Sequence, residues 1–321
     1  MKLFVKHTAL FLITFFGLLV LIVTITSVVE RKLSNFKLPE TPSYLIVGHS
    51  HPECAFNDSL IPNLKNISYS GESYFYTYFK TKEVIKHNPS IEVIFIELTN
   101  NQISTDMNDW IWGDEFMTNN YQKYSSFMTY ADNFLLLKNN PSSFMNALIV
   151  STTTKANRLF GNKFDRSNEL DGYRYLQRDK TDSLIKSNPY LTERAISEKR
   201  SRLGDSISEI NLIYLDKLVD FSQQQGKKVF LIRSPQHDKY DLYATELTYK
   251  HILNTRYKNV EYLDFSNFPL SNAEFGDLEH LNYKGAKRFS EWFAELLNKG
   301  LLKQPKKQDF IKQKMLDLHT C

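Results

Sequence analysis

Hydrophobic and polar positions fall into three regimes along the chain. Residues 8–29 (TALFLITFFGLLVLIVTITSVV) carry no charge. As a helix rising about 1.5 Å per residue, such a run crosses a hydrocarbon layer of about 30 Å. After a short linker at 34–41, short apolar runs alternate with amphipathic stretches. Residues 44–47 (YLIV), 66–69, 91–98 (IEVIFIEL), 228–233 (KVFLIR) and 259–265 (NVEYLDF) read as strands, apolar on both faces at 91–98, as in the middle of a parallel sheet. Residues 73–87, 206–225, 243–254 and 282–297 read as the intervening helices. Strands alternating with helices imply βαβ crossovers and a parallel sheet covered on both faces. The third regime, 104–200, is rich in Asn, Ser, Tyr, Trp and Met, with helical pieces such as 143–159 and no clear strand. The expected organisation is an anchor at 1–33, an α/β domain at 43–103 and 201–300, a largely helical insertion at 104–200 and a basic tail at 301–321.

The flanks of the first run set its orientation. Lys2 and Lys6 precede it, and Glu30, Arg31 and Lys32 follow. Its end, Thr26-Ser27-Val28-Val29, lacks the small-residue cleavage pattern of a signal peptide, so an uncleaved signal anchor is expected. The lysines and amino group ahead of it favour a cytoplasmic N-terminus, with the C-terminal domain periplasmic or extracellular. A net charge of +4 over 321 residues argues for no nucleic-acid partner. Two cysteines, Cys54 and Cys321, make no disulfide scaffold. The aromatic fraction is high at 14%. Trp110, Trp112, Phe116, Tyr121 and Tyr124 open the insertion and admit two readings, a sugar-stacking lid over the catalytic edge or a small helical core. Five lysines between 303 and 314 make the last residues read as a solvated, frayed end.

Candidate chemistry gathers where the strands end, the edge at which open α/β sheets bind ligands. Gly48-His49-Ser50-His51 follows the first strand, where a Ser on a strand-to-helix turn exposes its hydroxyl. Ser70-Gly71-Glu72 follows the second strand, and Leu98-Thr99-Asn100-Asn101 the third. Asp277-Leu278-Glu279-His280 precedes the closing helix. An Asp three residues ahead of a His can orient the imidazole while that imidazole deprotonates a Ser. His237, after the fourth strand, also lies on this edge and is a possible substrate contact. His49, His51 and Glu53 admit a metal reading, but a third ligand would have to come from elsewhere, and no metal site is expected.

In order and placement these segments resemble the SGNH/GDSL hydrolase superfamily. Gly48-His49-Ser50 is similar to its first block, with His49 where the family carries Asp. Gly71 matches the second block, Asn100 the third (with Leu98 and Asn101 in place of Gly and Asp), and Asp277 with His280 the last. The resemblance implies a flavodoxin-like three-layer α/β/α sandwich. Its catalytic residues would be Ser50, His280 and Asp277, with oxyanion donors from Ser50, Gly71 and Asn100. His49, His237, Trp110 and Trp112 are possible substrate contacts. No cofactor is implied. The chain looks like the membrane-anchored subgroup, serine esterases or O-acyltransferases working on acyl, foremost acetyl, esters of cell-envelope carbohydrate through an acyl-Ser50 intermediate. The alternative is a catalytically inactive binding or assembly protein that keeps the fold.

Overall fold

The computed structural model describes residues 1–187, 207–240 and 245–318. The end of the expected insertion, the first residues of the helices expected at 206–225 and 243–254, and Cys321 lie outside them. The chain opens with helix α1 (Lys2–Leu33), followed by β1 (Tyr44–Val47), α2 (Ser50–Ala55), β2 (Leu64–Asn66), α3 (Tyr74–His87), β3 (Val93–Glu97) and α4 (Asn100–Ile103). After a short helix at Met107–Trp112 come α5 (Asp114–Tyr124), α6 (Tyr130–Asn139) and α7 (Pro141–Gly161). A short helix at Thr181–Ser187 precedes α8 (Glu209–Gln224), β4 (Lys228–Arg233), α9 (Glu246–Thr255), β5 (Glu261–Asp264), α10 (Tyr283–Asn298) and α11 (Lys307–Asp317). The fold is therefore α/β, and its five parallel strands run in the order β2-β1-β3-β4-β5.

The chain divides into two units. The first comprises residues 38–111 and 168–321 and holds the sheet. Alternate strand residues point to opposite faces. Ile46, Phe95, Phe230, Ile232 and Leu263 join one buried cluster with Phe289, Trp292 and Phe293 of α10. Part of the high aromatic content lies here: Phe56 is 5.0 Å from Phe289 and 5.2 Å from Phe293, edge to face. The opposite set, Leu45, Ile94, Ile96 and Leu231, is equally buried. Helices α3 and α8 pack together through Phe75 and Tyr214, whose rings are 4.5 Å apart. The stretch expected as a frayed basic tail instead forms α11, because Ile311 and Met315 sit one turn apart and both enter the core cluster. Its lysines stay at the surface or pair, as Lys307 does with Glu261 at 2.6 Å.

The second unit comprises residues 1–37 and 112–167. Helix α1 is long and apolar enough to cross a membrane, with its apolar window exposed and a mean hydropathy of 2.7. At its C-terminal end Glu30 is buried and accepts from Arg158 Nη1 (2.5 Å), Arg166 Nη1 (2.9 Å) and the Ser126 hydroxyl (2.5 Å). Tyr121 and Tyr124 are buried within this unit, Tyr121 5.5 Å from Phe144, so they form a helical core. The insertion expected at 104–200 thus divides. Its middle belongs with α1, while residues 104–111 and 168–187 belong with the sheet.

Candidate active site

Order reversal in the sheet creates the site. Strand β1 pairs with β2 on one side and β3 on the other, so the connections leaving their carboxyl ends diverge and open a crevice. Residue 48 must be Gly, since a Cβ there would stand 2.6 Å from Glu97 Cβ and 2.7 Å from Pro52 Cγ. The turn is then free to present Ser50 as the first residue of α2, where its N–H has no intrahelical acceptor. The bond from Tyr69 N to Gly48 O (3.1 Å) sets Ser70-Gly71 beside this turn, and Ser70 donates to Glu53 of α2. Gly71 has φ +75°, a left-handed backbone that glycine adopts without strain.

The three residues named for catalysis converge. His280 Nε2 lies 2.7 Å from Ser50 Oγ, and His280 Nδ1 lies 2.9 and 3.1 Å from the two Asp277 oxygens. Asp277 also accepts from the backbone N–H groups of Glu279 and His280, both at 2.8 Å, which fixes the loop around it. Burial alone would raise its carboxyl. The His280 hydrogen bond and charge, the Glu279 N–H and Arg178 outweigh that and hold it at about 2. Asp277 therefore stays ionised, and its bond fixes the imidazole with Nδ1–H toward Asp277 and Nε2 open to the serine proton.

Arg178 is a member of the site that the sequence did not single out. It pairs with Asp277 at 3.0 Å and arrives on a strap from the stretch read as insertion. Arg174 N donates to Glu53 O (2.8 Å), Tyr283 N to Leu176 O (2.9 Å) and Lys180 N to Gly276 O (3.0 Å). The same strap walls a cavity of about 670 Å³ whose lining includes Glu53, Asp58, Asp171, Tyr173 and Tyr175. Tyr175 stacks on Tyr283 at 4.8 Å and remains largely exposed.

Asn100 does not take the expected oxyanion role. Helix α4 begins at this residue and carries its amide away, so that Nδ2 donates to Glu246 Oε2 (3.1 Å) and Thr245 Oγ1 (3.3 Å), while Oδ1 accepts from Arg233 Nη2 (2.5 Å). The cause is the buried guanidinium of Arg233 at the end of β4, which must be paired when desolvated. His237 is likewise occupied. Its Nε2 bonds Asn272 Oδ1 (3.0 Å), its Nδ1 accepts from Lys239 N (3.1 Å) and its ring packs on Phe275. Trp110 stands edge-on to His49 with ring centres 6.0 Å apart. Trp112 belongs to the other unit.

His49, immediately before Ser50, is buried, with Nε2 3.2 Å from Thr99 Oγ1 and Nδ1 3.4 Å from Ser50 Oγ. Burial, reinforced by His51 and His280, pushes its pKa well below the usual range, so it is neutral. His51 is neutral for the same first reason, burial, with His280 adding to it. Two triplets lie close enough to bracket a cation, His49-His51-Glu97 and His51-Glu279-His280. Both need a His51 nitrogen as ligand. Nδ1 already accepts from Gln236 Nε2 (3.1 Å), and in the neutral ring the proton is then on Nε2. Neither triplet is pre-arranged for a metal. Cys54 is buried, and burial lifts its thiol to about 12, so it serves as a packing group.

A family profile of proteins without a described function matches residues 163–302, a span that holds β4, β5, Asp277 and His280 but not Ser50. No curated protein matches the chain.

Proposed function

We propose that the protein is a membrane-anchored serine esterase or O-acyltransferase of the SGNH/GDSL kind, with a flavodoxin-like three-layer sandwich, acting on acetyl or related esters of cell-envelope carbohydrate. The observation that carries this reading is the unbroken chain Ser50–His280–Asp277 at 2.7 and 2.9 Å. Its members come from loops at the carboxyl ends of the first and last strands. Ser50 Oγ attacks the ester carbon as its proton passes to His280 Nε2, and Asp277 stabilises the imidazolium. The developing oxyanion meets the N–H groups of Ser50 and Gly71. Collapse breaks the carbon–alkoxy bond, the His280 proton goes to the leaving alcohol, and acyl-Ser50 remains. Water or an acceptor hydroxyl, deprotonated by His280, then attacks that acyl group and regenerates Ser50. Helix α1 is the uncleaved anchor in this account, with the sheet unit on the periplasmic or extracellular side. Support for a carbohydrate substrate comes from the strap-walled cavity, whose lining combines the exposed ring of Tyr175 with carboxylates able to accept from sugar hydroxyls.

Acetate release from O-acetylated polysaccharides, measured with the full chain in detergent and with and without an acceptor sugar, tests the reaction and separates hydrolysis from transfer. Acetate appearing in wild type and lost in Ser50→Ala is the expected outcome. Equal release by both proteins contradicts the proposal.

A further inference from the structure

His51 is the first residue past the nucleophile, 1% exposed, and its Nε2 has no hydrogen-bond partner among the described residues. Its tautomer follows from the surrounding bonds. Arg233 Nε donates to Gln236 Oε1 (3.2 Å), which fixes the amide so that Gln236 Nε2 is the group facing His51 Nδ1. Nδ1 is therefore an acceptor, and the neutral ring carries its proton on Nε2. A buried N–H left without an acceptor forfeits its hydration with nothing in return, and native proteins keep few of them. The Glu279 carboxylate is 3.9 Å from Nε2, outside hydrogen-bond reach.

The ring that carries the orphan donor neighbours both His49, 4.3 Å away centre to centre, and the imidazole of His280. The His51 and His280 ring centres are 5.4 Å apart, and a nitrogen of one lies within 4.8 Å of a nitrogen of the other. Two hydrogen bonds of about 2.9 Å reach across a gap of up to about 5.8 Å, so one oxygen can touch both rings. In a serine hydrolase the oxygen beside the catalytic imidazole is that of the leaving or incoming alcohol, on the side away from the oxyanion donors.

We propose that His51 is a further catalytic residue whose Nε2–H donates to the alcohol oxygen of the ester, a sugar hydroxyl oxygen, as the carbon–oxygen bond breaks or forms. This rests on the esterase reading. The proton still comes from His280. His51 holds the same oxygen and stabilises the negative charge that gathers on it. A poor leaving group such as a sugar alkoxide needs that help, and a nitrophenolate does not.

The test compares kcat/KM on a sugar acetate and on p-nitrophenyl acetate, with fluorophosphonate labelling of Ser50 as the check that each variant is folded. His51→Phe should lose about tenfold to a hundredfold more on the sugar acetate than on the aryl ester. His51→Gln, which places an amide N–H near the same point, should recover part of that loss. Equal losses on the two esters, or a Gln variant no better than Phe, overturn the assignment and leave the triad intact. A wild type inactive on both esters removes the esterase reading itself, and the role of His51 with it.

Discussion

Glu97 closes β3 beneath Gly48, fully buried, and accepts from the Ser234 N–H (3.1 Å) and hydroxyl (2.8 Å). Burial lifts its carboxyl to about 8 despite those two bonds, so it is protonated at neutral pH. The unfolded chain releases that proton near the ordinary glutamate value of about 4.3. Between these values the folded state holds more protons than the unfolded one, and stability falls as pH rises. The thermal stability of wild type is therefore expected to fall from pH 5 to 8 more steeply than that of Glu97→Gln, whose amide accepts from the Ser234 N–H and donates to its hydroxyl without a titrating group. Parallel profiles would show that Glu97 is not held neutral. Residues of this type were hidden in the sequence. Nothing local marks Ser234 as the partner of Glu97 or Arg233 as the partner that draws Asn100 away, since both depend on side chains meeting across the sheet. Ser50, Asp277 and His280 were legible because strand ends and their turns place them whatever the rest of the core does.

At the level of elements, apolar runs marked the strands well: β3 and β4 are buried along almost their whole length. What the pattern missed depended on distant partners. Residues 307–317 are lysine-rich, and only the spacing of Ile311 and Met315 hinted that one side would be covered. The strap that brings Arg178 to Asp277 has no periodic signature. Helix α1 was legible as a run long and apolar enough to cross a membrane, but the polar cluster at its end was not. Glu30 is 2% exposed between Arg158 and Arg166. Removing one member of a buried ionic cluster costs about 3–5 kcal/mol, because the remaining charges stay desolvated. Glu30→Gln should lower the unfolding temperature of the detergent-solubilised protein and open residues 112–167 to protease. Unchanged melting and cleavage would mean that the cluster does not hold that unit together.

Across the whole molecule, the contact between Ser50 and His280 joins residues 230 positions apart in sequence, because a parallel sheet brings the loops after its first and last strands to one edge. The proposed function stands or falls there, on the contact between Ser50 and His280. One measurement addresses that contact directly: reaction of the intact protein with a serine-directed fluorophosphonate, the adduct located by mass spectrometry. Modification of Ser50 in wild type, abolished in Ser50→Ala and in His280→Ala, is the predicted result. No adduct on wild type, or undiminished labelling of Ser50→Ala, would contradict the account.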